Sequence, residues 1–599
     1  MSQRTDMRAV REHREVLLIR VRALTVLVVT VITLITGSYW YHQLVRGAHY
    51  ANLADNNRLR KLSIRAPRGL IFDRHGKVLV ENIPSYDLML DRSRADDIAA
   101  SLVFAAGVLE RPVERLAAEL EKASNRPDFV PVPVAGNLTL AQVAQMSVTG
   151  REHPEFEIRA RPLRLYRHGP QTAHVLGYIG HVSKQDLATQ PGFLPGDRIG
   201  KDGIEQTYDS ALRGGAGQQV VVVDSRGKSL QEQHRKPADP GQDLHLTLDL
   251  RLQQAAEELM RDRTGAVVAL DPRNGEIRAM VSSPPFDPNQ FARGLGAKQW
   301  QALLDDPQDP LQNRTVRNSY APGSVFKIIM AFAGLQEGVI NESERVYCRG
   351  SATIYGHRFG CDRRSGHGWV NLREAIERSC NVYFYHLGQT LGIETIARYA
   401  RAFGMGTATG VDLSGEKVGL VPDNAWSEKT RGTRWYAGET ISVAIGQGPL
   451  LVTPLQTARL MAAVANGGAL VRPHLVRGAF GEEPPPRLPG SMRWLDPIRD
   501  GLRAVVNAPT GTAYWNARLA DVEVAGKTGT VQVISRAKVD GELSGNLRNH
   551  GWFASFAPAD DPQLVIVVFA EHGESGSSGA APIAKALYEE FFASRAGTA

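Results

Sequence analysis

An uncharged run of 23 residues lies near the start of the chain, between Arg22 and Arg46, and reads ALTVLVVTVITLITGSYWYHQLV. A helix of this length rises about 1.5 Å per residue and crosses a hydrocarbon layer of about 30 Å. The segment before it carries six arginines against three acidic residues, and such an excess keeps a segment on the cytoplasmic side. We therefore predict a cytoplasmic tail at 1–22, a single transmembrane helix at 23–45 and export of everything after it.

A signal peptide and a buried soluble helix both fit this apolar run less well. A cleaved signal peptide has a shorter apolar region and a small-x-small cleavage site, and none follows this run. A buried helix of a soluble protein has a polar face, which is missing here. We expect an uncleaved membrane anchor.

The rest of the chain has a globular composition. Of the 599 residues, 43% are apolar and 22% charged, which excludes global disorder and a polytopic transporter. The formal net charge of +7 suits a membrane surface or an anionic polymer better than DNA, so we expect no nucleic-acid partner. Mixed helical and β-like stretches predict one domain at 46–245, with a Pro/Gly-containing linker at 234–243. Residues 246–599 are predicted to form a compact, enzyme-sized domain.

The segment APGSVFKIIMAFAGL at 321–335 contains the best candidate for a nucleophile. Pro322 and Gly323 predict a turn, and the apolar run predicts a helix, so Ser324 lies at a helix N-terminus with Lys327 one turn further along the same side. A serine needs a base to remove its proton, and a lysine with a lowered pKa can be that base. The same pattern recurs without the glycine or the helix, and is interpreted as exposed loop, at Ser225/Lys228 and Ser535/Lys538.

Two further elements follow in the order that acyl transfer needs. Ser379 and Asn381 end an amphipathic stretch, and Lys527 begins the sequence KTGT in a predicted strand. Ser379 can relay a proton between Lys327 and a leaving amine, while the Asn381 amide can hold the peptide group of the substrate. Lys527 offers a cation for a substrate carboxylate and lowers the pKa of Lys327. We therefore predict that these residues form one catalytic site.

The sequence also predicts a substrate-binding edge at Thr528, Gly529 and Thr530. Glycine lets a substrate strand approach the backbone closely, as in β-strand addition. The backbone N–H groups of Ser324 and Thr530 are expected to form an oxyanion hole. Lys527 as a surface lysine and Thr530 as a plain strand residue remain the alternative, but the joint occurrence of three elements argues against it. A second Ser-x-Asn pattern stands in a Gly-rich loop at Ser544/Asn546.

The set Ser-x-x-Lys, Ser-x-Asn and Lys-Thr-Gly is shared by β-lactamases and penicillin-binding proteins. Over nearly its whole length the chain resembles a class B penicillin-binding protein. Four other groups of residues are similar to motifs of that family: Arg68-Gly69 with Asp73-Arg74-x-Gly76, Gly200-x-x-Gly203-x-Glu205, Gly446-Gln447-Gly448, and PTGTA at 509–513. The resemblance implies a multidomain chain: a transmembrane helix, an elongated α+β pedestal or dimerisation-like domain at 46–245, and a transpeptidase domain at 246–599. The last domain is expected to have the serine β-lactamase fold, an antiparallel sheet flanked by helices.

The resemblance also implies a function in cell-wall synthesis. Ser324 would be acylated by the penultimate D-Ala of a peptidoglycan stem peptide, the terminal D-Ala would leave, and an amine of a neighbouring stem would resolve the ester. β-Lactams would acylate the same serine. The family further implies a single-pass protein of the inner membrane with a periplasmic catalytic domain. Its expected partners are the lipid-linked precursor and the membrane-embedded glycosyltransferase of the rod complex.

All three cysteines, Cys348, Cys361 and Cys380, fall within 33 consecutive residues, with His367 among them. Three thiolates and one imidazole match a closed tetrahedral zinc site. A Cys348–Cys361 disulfide with Cys380 free is the alternative in an oxidising compartment. The elongation-type branch of the family carries zinc in this region, so the resemblance implies a structural zinc. The sequence also offers Asp362 as a substitute ligand, whereas His357 and His386 are interpreted as ordinary residues.

The motifs alone leave the acceptor of the acyl group open. A septal transpeptidase or a D,D-carboxypeptidase would use the same acyl-enzyme. A β-lactamase is less favoured, because a membrane anchor and a large pedestal serve no purpose in it. A non-catalytic β-lactam receptor is also less favoured, because the tail of about 22 residues before the predicted helix is short for an effector domain. The elongation-type transpeptidase is the leading hypothesis.

Overall fold

The computed structural model describes residues 3–50, 59–122, 128, 130–150, 152–190, 192–193, 196–223, 229–481, 483–532 and 548–596. The Ser225/Lys228, Ser535/Lys538 and Ser544/Asn546 patterns lie outside the described residues. The chain divides into two compact units, residues 1–66, 86–159 and 215–239, and residues 67–85, 160–214 and 240–599. Parts of the predicted pedestal thus cluster with the C-terminal residues, and the predicted boundaries at 45/46 and 245/246 stay predictions.

The helices are α1 (Gln3–Trp40), α2 (Ile98–Leu109), α3 (Val113–Lys122), α4 (Leu140–Thr149), α5 (Ala173–Leu176), α6 (Lys184–Thr189), α7 (Gly203–Thr207), α8 (Asp209–Arg213), α9 (Leu250–Met260), α10 (Pro288–Arg293), α11 (Ala297–Leu304), α12 (Lys327–Gln336), α13 (Leu372–Glu377), α14 (Asn381–Ala402), α15 (Asn424–Arg431), α16 (Ala437–Val443), α17 (Pro454–Ala465), α18 (Leu495–Asn507), α19 (Tyr514–Ala517) and α20 (Ala581–Ala596).

The strands are β1 (Leu59–Ile64), β2 (Ile71–Phe72), β3 (Val78–Leu90), β4 (Val132–Leu138), β5 (Phe156–Tyr166), β6 (Ile179–His181), β7 (Arg198–Gly200), β8 (Gly217–Val223), β9 (Ser229–Lys236), β10 (Leu244–His245), β11 (Gly265–Leu270), β12 (Ile277–Ser283), β13 (Val346–Cys348), β14 (Ser351–Ile354), β15 (His357–Gly360), β16 (Gly368–Val370), β17 (Ala525–Val531), β18 (His550–Ala557) and β19 (Leu564–Ala570).

Helix α1 continues through a short π-helical turn, Tyr41–Val45, and Val16–Val45 is long and apolar enough to cross a membrane. Its most apolar window has a mean hydropathy of 2.2, and none of that window is buried. Four threonine hydroxyls in it each donate a hydrogen bond of 2.8 Å to the carbonyl four residues earlier: those of Thr25, Thr30, Thr33 and Thr36. The helix therefore satisfies these polar groups without water, as a lipid environment requires. The predicted helix is present and fits a single-pass membrane anchor.

The first unit contains an antiparallel sheet of strands β1, β8 and β9, in that order. Strand β9 continues to Lys236, because residues 234–236 pair with residues 218–220 of β8. The linker predicted at 234–243 is therefore wrong for its first three residues, whose pairing with β8 outweighs the turn signal of the prolines after them. Elsewhere in this unit, α2 and α3 pack with β4 and the end of β3 around a core that includes Leu88, Leu102, Leu109 and Val134.

In the second unit, a buried carboxylate organises the segments at 67–85 and 160–214. Glu205, at the start of α7, is fully buried and accepts hydrogen bonds from Arg68 Nε at 2.6 Å and Arg164 Nε at 2.7 Å. Arg68 also donates to Asp209 at 2.7 Å. Burial raises the pKa of Glu205, but the charges of Arg164 and Arg68 outweigh it, so the pKa is lowered and the carboxylate stays ionised. These ion pairs hold distant parts of the sequence together.

The core of the second unit is a five-stranded antiparallel sheet in the order β12-β11-β19-β18-β17. Every residue of β11, β12 and β19 is buried, as expected for continuous apolar strands covered on both faces. Helices α9, α17, α18 and α20 pack against the sheet. The expected fold, an antiparallel sheet flanked by helices, is confirmed. Strand β17, which carries the Lys-Thr-Gly sequence, is the last strand in this order.

Replacing Glu205 by Gln is expected to destabilise the second unit, because the buried Arg164 guanidinium loses its counter-charge and Arg68 keeps only that of Asp209. Breaking a buried ion pair by removing one partner costs roughly 3–5 kcal/mol, so we expect the unfolding temperature of the full chain to fall by about 5 °C or more. Glu157→Gln is the control, because Glu157 and its partner Arg159 are both about half exposed and such surface pairs contribute little. Equal melting curves for the two variants would refute the role of the network.

Candidate active site

Ser324 lies in a short 3-10 turn, Gly323–Phe326, that leads directly into α12. Gly323 has a φ of +54°, and its N–H donates to Gly446 O at 2.9 Å. Lys327–Leu335 of α12 are all buried, which is the environment of a helix that is apolar all round. The predicted placement of the serine at the start of an apolar helix is thus observed, and the backbone that carries it is fixed by the loop at Gly446.

The amine of Lys327 is buried at the centre of the site. Its Nζ donates to Ser379 O at 2.8 Å, to Ser379 Oγ at 3.1 Å and to Asn381 Oδ1 at 2.6 Å. Burial lowers the pKa of Lys327 to about 8, although the nearby sulfurs of Cys380 and Cys361 and the carboxylate of Asp362 act in the opposite sense. A substantial fraction of this lysine is therefore neutral near physiological pH, as a general base must be.

Ser379 and Asn381 are positioned by the junction of two helices. Helix α13 ends just before Ser379, and α14 begins at Asn381 with Cys380 as its N-terminal cap residue. Ser379 has a φ of +55°, a left-handed conformation that costs a non-glycine residue about 1 kcal/mol or more. Backbone hydrogen bonds from Ser379 N to Ile376 O and from Cys380 N to Ala375 O, at 3.2 and 2.9 Å, hold it there. The strained backbone presents both polar side chains to one amine.

The Lys-Thr-Gly strand packs against the serine turn. A Cβ added at Gly323 would lie 3.0 Å from Thr530 O, and one added at Gly529 would lie 3.1 Å from Pro322 O and 3.0 Å from Trp552 Cβ. Gly529 thus admits the protein's own turn, a use that the sequence prediction did not include. Gly323, the residue before Ser324, therefore packs directly against the backbone of Thr530.

Lys527 is fully buried, and its Nζ donates to Thr528 O at 3.1 Å. Burial lowers its pKa well below the usual value, and the positive charge of Lys327 lowers it further. The charge of Lys327 thus acts on Lys527, whereas burial is the main cause of the shift at Lys327, so the predicted lowering of the Lys327 pKa by Lys527 stays a prediction.

Three contacts around the strand were not assigned a role from the sequence. Gln447 Nε2 donates to Thr530 O at 3.1 Å, Thr512 Oγ1 and Thr528 Oγ1 share a hydrogen bond of 2.7 Å, and Trp552 Nε1 donates to Ala321 O at 3.0 Å. The family-like Gly446-Gln447-Gly448 and PTGTA segments were the signal that identified the first two regions. The particular strand residue that each of these side chains contacts can be identified only once the fold is known.

The three cysteines and His367 converge next to Ser379. Their ligand atoms lie within 4.8 Å of one another, and His367 Nδ1 lies 3.6 Å from Cys348 Sγ and 3.5 Å from Cys361 Sγ. All three cysteines are free, so the alternative disulfide is not formed. A hydrogen bond with Cys380 lowers the pKa of Cys361, and the same contact raises the pKa of Cys380. The predicted group of four is thus assembled, whereas Asp362 and His357 are exposed and outside it.

The comparisons with known proteins identify the class first. The family model described as "Penicillin binding protein transpeptidase domain" matches residues 265–589, and that described as "Penicillin-binding Protein dimerisation domain" matches residues 63–246. The chain therefore belongs to the penicillin-binding proteins that carry a transpeptidase domain.

Individual relatives show which members of this family the chain is similar to. "Peptidoglycan D,D-transpeptidase MrdA" of Acinetobacter baumannii is 34% identical, over 99% of this chain and 90% of the relative. The solved complex of penicillin-binding protein 2 and MreC from Helicobacter pylori matches with a TM-score of 0.81 at 30% identity, over 89% of this chain and 99% of the other. A structure described as "Structural coordination of polymerization and crosslinking by a peptidoglycan synthase complex" has a TM-score of 0.72 at 32% identity, over 96% and 98% of the two chains.

These relatives place the chain in the elongation-type branch, penicillin-binding protein 2, of the class B family. It is a peptidoglycan D,D-transpeptidase of the serine type that acts on peptidoglycan and binds β-lactams. The septal transpeptidase, the carboxypeptidase, the β-lactamase and the non-catalytic receptor are accordingly not favoured.

The rate of acylation by a penicillin is expected to increase with pH through the pKa of Lys327. Below about pH 8 the amine is protonated and cannot accept the serine proton, so the rate should fall about tenfold per pH unit on the acid side and level off above the pKa. Stopped-flow labelling with a fluorescent penicillin measures this profile, and the melting temperature at each pH is the control for folding. A flat profile from about pH 6 to 9 would contradict the assignment of Lys327 as the base.

Proposed function

We propose that Ser324 is the residue acylated in each catalytic cycle and that Lys327 is its general base. The observation that carries the proposal is the buried Lys327 amine, which has a lowered pKa, lies three residues along the helix from Ser324 and bonds to both Ser379 and Asn381. No other arrangement of a serine and a buried lysine with such partners is present among the residues that the structure describes.

The proposed first half-reaction balances its protons through these side chains. Neutral Lys327 takes the proton of Ser324 as Oγ attacks the carbonyl carbon of the penultimate D-Ala. Ser379 Oγ, at 3.1 Å from Lys327 Nζ, relays that proton to the departing amine of the terminal D-Ala. The C–N bond breaks and an ester to Ser324 remains. In the second half-reaction the amine of a neighbouring stem gives up a proton by the reverse route and attacks the ester, which restores the serine.

The remaining predicted residues bind and polarise the substrate. The N–H groups of Ser324 and Thr530 stabilise the oxyanion, and the packing of Gly323 against the Thr530 backbone supports this role. A substrate carboxylate beside Lys527 favours the charged form of this amine, which then stabilises the terminal carboxylate of the stem peptide electrostatically. Thr528 and Gly529 form the strand edge beside it, and Asn381 bonds the peptide group.

We further propose that Cys348, Cys361, His367 and Cys380 bind one structural zinc ion. Zinc bonded to sulfur at about 2.3 Å and to nitrogen at about 2.0–2.1 Å holds the two atoms about 3.6 Å apart in a tetrahedron. The two Sγ–Nδ1 distances, 3.6 and 3.5 Å, support this arrangement. The bound ion would supply a rigid cross-link between β13 and the start of α14. Because Cys380 lies between Ser379 and Asn381, its fixation positions both side chains without contact to the substrate.

The proposed location is the inner membrane, with residues 1–22 cytoplasmic and the catalytic domain periplasmic. The six arginines before the apolar run support this orientation. The proposed polymerising partner is the membrane-embedded glycosyltransferase of the rod complex, which would extend the lipid-linked precursor. The similarity to the structure described as a peptidoglycan synthase complex that coordinates polymerization and crosslinking supports that partner.

Labelling with a fluorescent penicillin, followed by proteolysis and mass spectrometry, tests the nucleophile. The adduct is expected on the peptide that contains Ser324 and is expected to last far longer than the few seconds typical of a β-lactamase. Ser324→Ala should abolish labelling, whereas Ser351→Ala, a serine that lies outside the site, should label as the parent does. An adduct on any other residue refutes the proposed mechanism.

Substitution of Cys361 by Ser tests the metal. The variant is expected to lose close to one equivalent of zinc per chain, to melt at a lower temperature and to be acylated more slowly, because Ser379 and Asn381 lose their support. His357→Ala is the matched control, since this exposed imidazole lies in the same hairpin region but outside the group. Zinc content is measured by mass spectrometry of the metal, and equal content in the parent and Cys361→Ser would exclude the site.

A further inference from the structure

The two-stranded sheet of β13 and β16 has one buried face and one exposed aromatic face. Cys348 and Val370 are buried, while their strand neighbours Tyr347 and Trp369 are 48% and 59% exposed. The pairing register sets Tyr347 directly opposite Trp369, and the two rings meet edge to face at 5.3 Å. Contiguous exposed apolar surface with a polar rim marks binding sites, whereas single exposed apolar side chains do not. The predicted zinc ligand Cys348 fixes the same strand from its buried side.

The surface around this pair carries an uncompensated positive charge. Residues 345–370 contain five arginines and one aspartate. Arg345 faces Glu374 at 3.5 Å. Within the part of the chain that the structure describes, the other four have no carboxylate within 4.0 Å: Arg349, Arg358, Arg363 and Arg364. Exposed guanidinium groups of this kind are available to an external anion.

One of these arginines contacts the aromatic pair, and the backbone of a second lies next to the residue that follows it in the chain. The guanidinium carbon of Arg349 is 5.8 Å from the centroid of the Tyr347 ring. The backbone of Arg364 passes directly against the residue after Arg349, because a Cβ added at Gly350 would lie 2.0 Å from Arg364 O. We call Tyr347, Trp369, Arg349 and Arg364 the arginine–aromatic face.

The backbone of the same region is joined to the active site. Tyr385 Oη donates to Gly360 O at 2.9 Å, and Asn381 Nδ2 approaches the same carbonyl at 3.5 Å. Gly360 ends strand β15, and Asn381 is the residue that also contacts Lys327. Asn381 therefore contacts both the end of β15 and the catalytic lysine, so the segment that carries the face is connected along the chain to the active site.

We propose that the arginine–aromatic face binds a peptidoglycan strand outside the catalytic cleft, with sugar rings on Tyr347 and Trp369 and stem-peptide carboxylates on Arg349 and Arg364. The C–H edges of a pyranose pack well on the electron-rich face of an aromatic ring, and guanidinium groups form bidentate pairs with carboxylates. The assignment rests on the proposed function of the cleft and extends it, because a strand held here would deliver its stems to Ser324. The charge complementarity of the face selects an anionic glycopeptide over a neutral glycan.

Equilibrium binding to the full chain in detergent tests the proposal, with Ser324→Ala as the parent so that no covalent product forms. The probes are soluble, un-cross-linked peptidoglycan strands with intact stems and the same strands after enzymatic removal of the stems. The double variant Tyr347→Ser/Trp369→Ser is expected to bind both probes about tenfold more weakly. Arg349→Gln/Arg364→Gln should weaken binding of the stem-bearing strands only, about fivefold, and should reduce the dependence of that binding on salt.

Matched controls exclude general effects of removing aromatic or charged side chains. Trp300→Ser removes a tryptophan that is 39% exposed on α11, and Arg434→Gln removes an arginine that is 90% exposed. Both controls should bind strands as the parent does. The melting temperature, and penicillin labelling of each variant built on the native serine, report folding. If the aromatic variant unfolds, the arginine variant decides alone, because its side chains are exposed and make no ion pair among the described residues.

Three results would overturn the proposal. Unchanged affinity of both double variants for both probes removes the face as a strand site. Equal weakening by the two control variants shows a non-specific effect of charge or apolar area. If the double variants lose binding to vesicles of anionic phospholipid while their affinity for the strands is unchanged, the face is a membrane contact instead. If the native protein, with Ser324 in place, fails to react with penicillin, the proposed function of the cleft is refuted separately, since strand binding does not require that reaction.

Discussion

The buried amine of Lys327 is the constraint on which the rest of the catalytic unit depends. Placing an ammonium group in a protein interior is costly unless several acceptors surround it. Here two oxygens of Ser379 and one of Asn381 accept its hydrogen bonds. Burial outweighs the opposing effect of Cys380, Cys361 and Asp362 and lowers the pKa to about 8. If the cost of burying this ammonium group were fully compensated, Lys327 would stay charged and could not act as a base. The junction of α13 and α14, with its left-handed serine, places those three oxygens around the amine.

The sequence predicts this unit well because its signals are local. Ser324 and Lys327 share one turn, Pro322-Gly323 mark its start, and the apolar run behind them requires burial. The order of the three short motifs then limits the chemistry to acyl transfer. The positive φ of Ser379 was not predictable, because it results from the packing of two helices. The contacts of Gln447 and Thr512 with the strand likewise depend on segments that are distant in the sequence.

The organisation outside the active site was predicted less completely. Periodicity identified strands and helices, but it gave no sign that residues 67–85 and 160–214 cluster with the C-terminal sheet. That clustering depends on Arg68, Arg164 and Glu205, which are separated by up to 137 residues. Single charged residues look alike in a sequence whether they are solvated or buried. Their pairing becomes visible only when the strands around them are placed.

The threonines of α1 have a consequence for the membrane-spanning segment. Each hydroxyl is already committed to a carbonyl of its own helix, so the outer surface of the anchor offers neighbouring helices little hydrogen bonding. A partner helix inside the bilayer would have to recognise the segment through the surface shape of its branched aliphatic side chains. Contact there is then governed by the steric fit of side chains.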